Sequence, residues 1–131
     1  MFDEAYGAAF LDSYDPEKLK FVTYILHRLD VSPGYPGFYY LRDAILYADF
    51  LQRPVPTASQ QIYREIARRY DTEPRKVERA IHTALTQMEK QLSRQDALLI
   101  ITGVQVDCPN RAFRNMEFIS FVTETLRLHS L

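Results

Sequence analysis

The chain of 131 residues holds one cysteine, Cys108, so an internal disulfide is impossible and a cross-linked secreted scaffold is excluded. Its opening residues lack the basic-then-apolar layout of a secretion signal, and no apolar run approaches the ~20 residues that a membrane-spanning helix needs. The cytoplasm is therefore the expected compartment, with no membrane partner. Strand-like alternation of apolar and polar residues is missing, as are internal repeats and low-complexity tracts. There is no nucleophile elbow, phosphate-binding glycine loop or catalytic His–Asp set, and the expectation is that the chain is not an enzyme. Histidines are few. His27, His82 and His129, with Cys108, show neither the i, i+3 or i, i+4 pairing nor the C-x-x-C spacing that builds a metal site, so neither metal nor cofactor is expected.

An excess of charge is missing too. Sixteen Lys and Arg oppose 17 Asp and Glu, a net charge of −1, whereas phosphate binding usually leaves a basic footprint. The distribution weakens that objection. Residues 1–17 carry Asp3, Glu4, Asp12, Asp15 and Glu17 with no Lys or Arg, which leaves 16 basic and 12 acidic residues in the remainder. Residues 1–16 read as an acidic lead and 17–131 as a single helical domain. At 47% hydrophobic residues, that domain can bury a core without metal or cross-link.

The most informative segment runs from Ile62 to Ile81 and reads as a helix-turn-helix. Such a unit needs a small residue where its helices cross and an apolar residue early in the second, and Ala67 and Val77 stand at that spacing. Ile66 and Tyr70 face inward on the first helix. Val77, Ala80, Ile81, Ala84, Leu85 and Met88 recur at three and four residues, which leaves Arg75, Lys76, Glu78, Arg79, His82 and Thr86 on the outer face. Between the helices, Asp71 tolerates a left-handed backbone and Thr72 is the expected cap of the second helix. An ordinary helical hairpin would share these features.

Around this unit the sequence predicts an all-α domain of about six helices. Asp15 and Pro16 open a first helix that runs to about Asp30; Ser32–Gly37, with two prolines and two glycines, breaks the chain; and Phe38 to about Phe50 forms a second. The pair follows at about 58–70 and 73–91. Ser93 caps a short fifth helix whose Leu98–Ile101 are apolar nearly all round, stopped by Gly103. Residues 104–114 read as a loop, and Asn115 as the cap of a last helix through Leu128. Tyr35, Phe38, Tyr39, Tyr40 and Tyr47 are expected in the core rather than on a base-stacking platform. Asp12, Asp15, Asp43 and Asp49 are expected near helix ends or on solvated faces, where acids are ordinary and do not form a hydrolytic pair.

The segments Gly37–Ile45, Ile66–Thr72, Val77–Ile81, Phe118-Ile119 and Leu126-Arg127-Leu128 resemble, in register from about Lys18 to the end, the C-terminal effector domain of the sporulation stage-zero master response regulator. The resemblance implies a wing-less six-helix response-regulator effector domain whose fourth helix enters the major groove of double-stranded DNA. It also implies tandem copies, hence a homodimer on paired sites, and neighbouring surfaces that meet the sigma subunit of RNA polymerase. Carried over by position, Glu78, Arg79 and the position of His82 reach bases; the residues themselves add Arg75 on the same face as base-facing, Lys76 and Thr86 on the outer face as candidate backbone contacts, and Arg111, Arg114 and Asn115, near a helix start, as further ones. Two departures stand out. The family usually has arginine where this chain has His82, a shorter side chain without a guanidinium fork for guanine. The family's own phosphoacceptor receiver domain does not fit in the acidic lead, so the expectation is a stand-alone effector. The alternative is a protein-interaction module, a partner of a sigma factor or a regulator or an antagonist, that keeps the fold and has lost strong DNA binding.

Overall fold

A computed structural model describes residues 14–129; most of the acidic lead, including Asp3, Glu4 and Asp12, lies outside them. Six α-helices and one 3-10 turn make up the regular structure, with no strand among the described residues. The helices are α1 (Pro16–Arg28), α2 (Pro36–Leu51), α3 (Ser59–Arg69), α4 (Pro74–Glu89), α5 (Arg94–Thr102) and α6 (Asn115–His129), and the 3-10 turn Val55–Ala58 precedes α3. No helix among these residues is long and apolar enough to cross a membrane.

Local chemistry sets most of the boundaries. Asp15 caps α1 by accepting from the Glu17 and Lys18 amides, and Pro16 occupies the first helical position. Ser93 caps α5 through the Asp96 amide, and Gly103 ends that helix at φ 75°. Between α3 and α4 the chain closes in a Schellman arrangement: the Thr72 amide donates to the Ala67 carbonyl at 2.9 Å while Asp71 takes the left-handed turn at φ 52°. Two expected caps are corrected. Glu73, not Thr72, is the N-cap of α4, because Pro74 forces the residue before it into an extended backbone. Asn115 is the first residue of α6 rather than its cap: the Arg114 carbonyl accepts from the Phe118 amide, while Glu117 reaches back to the Arg114 amide.

The second helix starts two residues earlier than expected, at Pro36, and carries Gly37 inside its first turn. Packing explains the glycine. A Cβ there would lie 2.4 Å from the Ala80 carbonyl oxygen and 2.8 Å from the Ala84 methyl, so α2 and α4 touch backbone to backbone. The close approach leaves Ala80 half-buried while Val77, Ile81 and Ala84 are buried. Beneath the crossing, Leu41, Ala44 and Ile45 of α2 meet Ile62, Ile66, Ile81, Leu85, Phe118 and Ile119 in one core.

Helix α2 is central, and its acids depart from expectation. Asp43 is fully buried and Asp49 nearly so, because α2 packs against α1, α3, α4 and α6 and has little solvated face. Each acid meets its own partners. Asp43 accepts from Arg42 at 3.0 Å and from the Tyr70 hydroxyl; Asp49 pairs with Lys18 at 2.8 Å and, more loosely, with Arg127 at 3.8 Å. Arg69 extends the first set by donating to Glu65 and to the Tyr14 hydroxyl and lying over the Tyr47 ring. Burial pushes the Tyr14 and Tyr70 phenols well above their ordinary range, reinforced by the Asp43 charge, so both stay protonated, Tyr70 donating to Asp43 and Tyr14 accepting from Arg69. Of the aromatic group, Phe38 is buried, Tyr39, Tyr40 and Tyr47 are half-buried, and Tyr35 is exposed.

Replacing Gly37 by alanine should destabilise the fold by about 1–3 kcal/mol, since overpacking against backbone outweighs the ~0.5–1 kcal/mol that alanine gains in a helix. Gly34→Ala, whose Cβ would meet only the Ser32 hydroxyl at 3.4 Å, is the near-neutral control. Urea unfolding of both variants checks this, and equal midpoints would refute the tight crossing.

Candidate nucleic-acid interface

The outer face of α4 opens onto a cleft of about 810 Å³. Ser59 and Tyr63 of α3 form one wall, Arg75, Glu78, Arg79 and His82 of α4 the floor, and Ala112–Met116 at the start of α6 the other wall. Positions 75, 78, 79 and 82 are three or four apart and therefore share one helix face. The four expected base-facing residues thus lie together, all exposed, and Arg114 and Asn115 join them from 32 to 40 residues away along the chain. Thr86 is exposed one turn beyond His82. Lys76 is exposed beside the cleft, 3.9 Å from Glu73, and Arg111 lies outside the lining residues.

The charge of the cleft is positive. Three guanidinium groups, Arg75, Arg79 and Arg114, face one carboxylate, Glu78, and none of the three side chains meets a carboxylate partner among the described residues. Exposed cations without internal partners remain available to phosphate or a base edge, which is how a chain of net charge −1 can still present a basic surface. Among the described residues no group of three or more His, Cys, Asp or Glu is placed to hold a metal ion.

The second wall is held by a knot of ion pairs that the sequence did not disclose. Glu117 accepts from Arg111 at 2.8 Å and from the buried Arg94 at 2.9 Å, as well as from the Arg114 amide. Arg94 lies 4.4 Å from the Phe113 ring centroid, and the Phe113 amide donates to Glu89 at the end of α4. The loop before α6 is thereby fastened to α4 and α5. Arg111 bonding first, then Arg94 and the Arg114 amide, outweighs burial and holds the Glu117 carboxyl at about 2, below the usual 4.5.

Asn115 sits where the walls meet the floor. Its side-chain nitrogen donates to the Glu78 carbonyl at 2.9 Å and to the Tyr63 hydroxyl at 3.1 Å. Tyr63 and Ser59 were missed by sequence reasoning. Their i, i+4 spacing puts them on one side of α3, but nothing local says that the start of α6 packs opposite them.

An all-α fold without a wing, with a Schellman-turned helix pair and a basic cleft along the second helix, defines a helix-turn-helix DNA-binding effector domain. The family model described as sporulation initiation factor Spo0A C terminal matches residues 22–126. The chain belongs to that family, and it is a DNA-binding effector domain of the Spo0A type, a class of transcription and sporulation regulators rather than of catalysts.

Because the Glu117 pKa is lowered on folding, its pairing stabilises the protein above the unfolded value and is lost as pH falls from about 4.5 through about 2. Wild type should therefore lose more stability across that window than Glu117→Gln, whose penalty is already present at neutral pH. Thermal unfolding of both proteins in a pH series tests this, and parallel profiles would contradict it.

Proposed function

We propose that α4 is the recognition helix and docks in the major groove, with Arg75, Glu78, Arg79 and His82 directed at base edges. Lys76, Thr86, Arg111 and Arg114 then hold the flanking phosphates. What supports the reading is the cleft itself, in which α4's polar face and Arg114 share one surface and Arg75, Arg79 and Arg114 form no ion pair among the described residues. Bidentate arginine is the commonest specific contact to guanine, while phosphate contacts position the protein without selecting sequence. Arg111 is shared with Glu117, so on phosphate it exchanges one anion for another. Two copies on tandem boxes would place these clefts side by side on one duplex. We assign the sigma subunit of RNA polymerase to the exposed apolar residues Leu99 and Val104, at and just after the end of α5, which face water without polar purpose.

Titration against a family-type box and a scrambled duplex at several salt concentrations tests the groove reading. Arg79→Ala should cost about 1–3 kcal/mol on the box and little on the scrambled duplex, whereas Arg114→Ala should weaken both alike and lower the salt slope by about one phosphate. Equal losses for Arg79→Ala on both duplexes would reduce Arg79 to a backbone contact. His82→Arg should gain up to about 1–3 kcal/mol where a guanine faces it, by supplying a permanent fork on a longer stem. Unchanged affinity in that variant, with wild type binding neither duplex at moderate salt, would favour an interaction module instead. Leu99→Glu should leave DNA affinity intact and reduce activated transcription in a reconstituted polymerase assay; unimpaired activation would remove the sigma assignment.

A further inference from the structure

We propose that Asn115 is a positioning residue for sequence-specific DNA recognition, setting the seat of α4 by bridging the Glu78 carbonyl to the Tyr63 hydroxyl; this rests on the groove reading above. By type and place, an asparagine at the start of a helix beside two arginines looks like a phosphate contact. The hydrogen bonds say otherwise. A carbonyl only accepts, so the group facing Glu78 has to be the amide nitrogen, which also donates to the Tyr63 hydroxyl. An amide has two N–H donors, and both are engaged. Its remaining atom, Oδ1, is an acceptor, which a phosphate oxygen repels.

The place of the bridge is what gives it consequence. In an α-helix the Glu78 carbonyl already accepts from the amide four residues on, at His82, and Asn115 takes its second lone pair. Asn115 therefore grips the turn that carries both Glu78 and His82, from the side of α6, while Tyr63 ties the same amide to α3. Base readout needs side chains held within roughly 0.5 Å and 10–20° of their productive geometry. Apolar contacts at Val77, Ile81 and Ala84 and the Gly37 crossing set how deep α4 sits, and the Phe113–Glu89 bond holds its far end, but apolar packing is not directional and leaves the roll of the Glu78–His82 turn to a directional contact. The bridge also leaves Oδ1 buried with no hydrogen-bond partner among the described residues, a cost in stability. That cost offsets part of what the two bonds contribute to stability, whereas their direction is kept in full.

The test compares wild type, Asn115→Ala and Tyr63→Phe on box and scrambled duplexes at several salt concentrations, with thermal unfolding in parallel. Asn115→Ala should lower the box-to-scrambled affinity ratio by about tenfold, with scrambled affinity and salt slope unchanged. Tyr63→Phe, which removes a single hydroxyl, should lower the ratio in the same direction and carries the test if Asn115→Ala does not fold. Equal losses on both duplexes with a slope reduced by about one would restore the phosphate role and overturn the proposal. A lower melting temperature with the ratio retained would reduce Asn115 to a structural residue and overturn it as well. Absence of any preference in wild type refutes the groove reading and this proposal together, whereas preference kept in both variants refutes the proposal alone.

Discussion

Everything about the presentation of the cleft depends on how closely α2 and α4 approach, and Gly37 sets that distance. With no Cβ at this position, the α2 backbone rests on the Ala80 carbonyl and the Ala84 methyl. The contact pulls the inner stripe of α4 onto the core, and a helix with one buried stripe has its opposite stripe turned outward. That Arg75, Glu78, Arg79 and His82 lie on the outward stripe thus follows from a contact on the far side of the helix that bears them. A protein interior packs too densely to absorb a misplaced methyl at such a crossing.

Charge, buried and exposed, serves two ends here. Asp43, Arg42, Tyr70, Arg69 and Glu65 form a set in which acids and cations meet directional partners, joining the middle of α2 to the end of α3 next to the turn. Ion pairs of this kind add little net stability over apolar packing, but they fail when misaligned and so select one arrangement. A second set, Glu117 with Arg94 and Arg111, performs the same service for the loop before α6. Both lie behind or beside the cleft. In the cleft itself three arginines outnumber the single carboxylate of Glu78 and form no ion pair among the described residues, so a chain with almost no net charge still offers phosphate a positive surface.

Much of this was legible beforehand because it is written in near-neighbour patterns. Asp15 with Pro16, Ser93 with Gly103, and the three-and-four spacing from Val77 to Met88 identified their helices, and Asp71 was recognised as the left-handed turn residue. The errors have the same origin as the successes. Thr72 looked like a cap by composition, but Pro74 restricts the residue next to it and moved the cap to Glu73. Asp43 and Asp49 look like acids of a helix end or a solvated face, where acids usually lie, and no local pattern announces that α2 is surrounded.

What the sequence by itself determined is the all-α class, the order of the helices and the face of α4 that points outward, since periodicity and capping act within a few residues. Tertiary structure alone decided that Asn115 meets Glu78 and Tyr63, that Glu117 collects Arg94 and Arg111, and that Gly37 lies under Ala80. Those pairs are brought together by the packing of whole helices, and the separation along the chain leaves no trace of it in either partner's neighbourhood. The stripe of a helix is a local property, whereas the company that stripe keeps is a property of the fold.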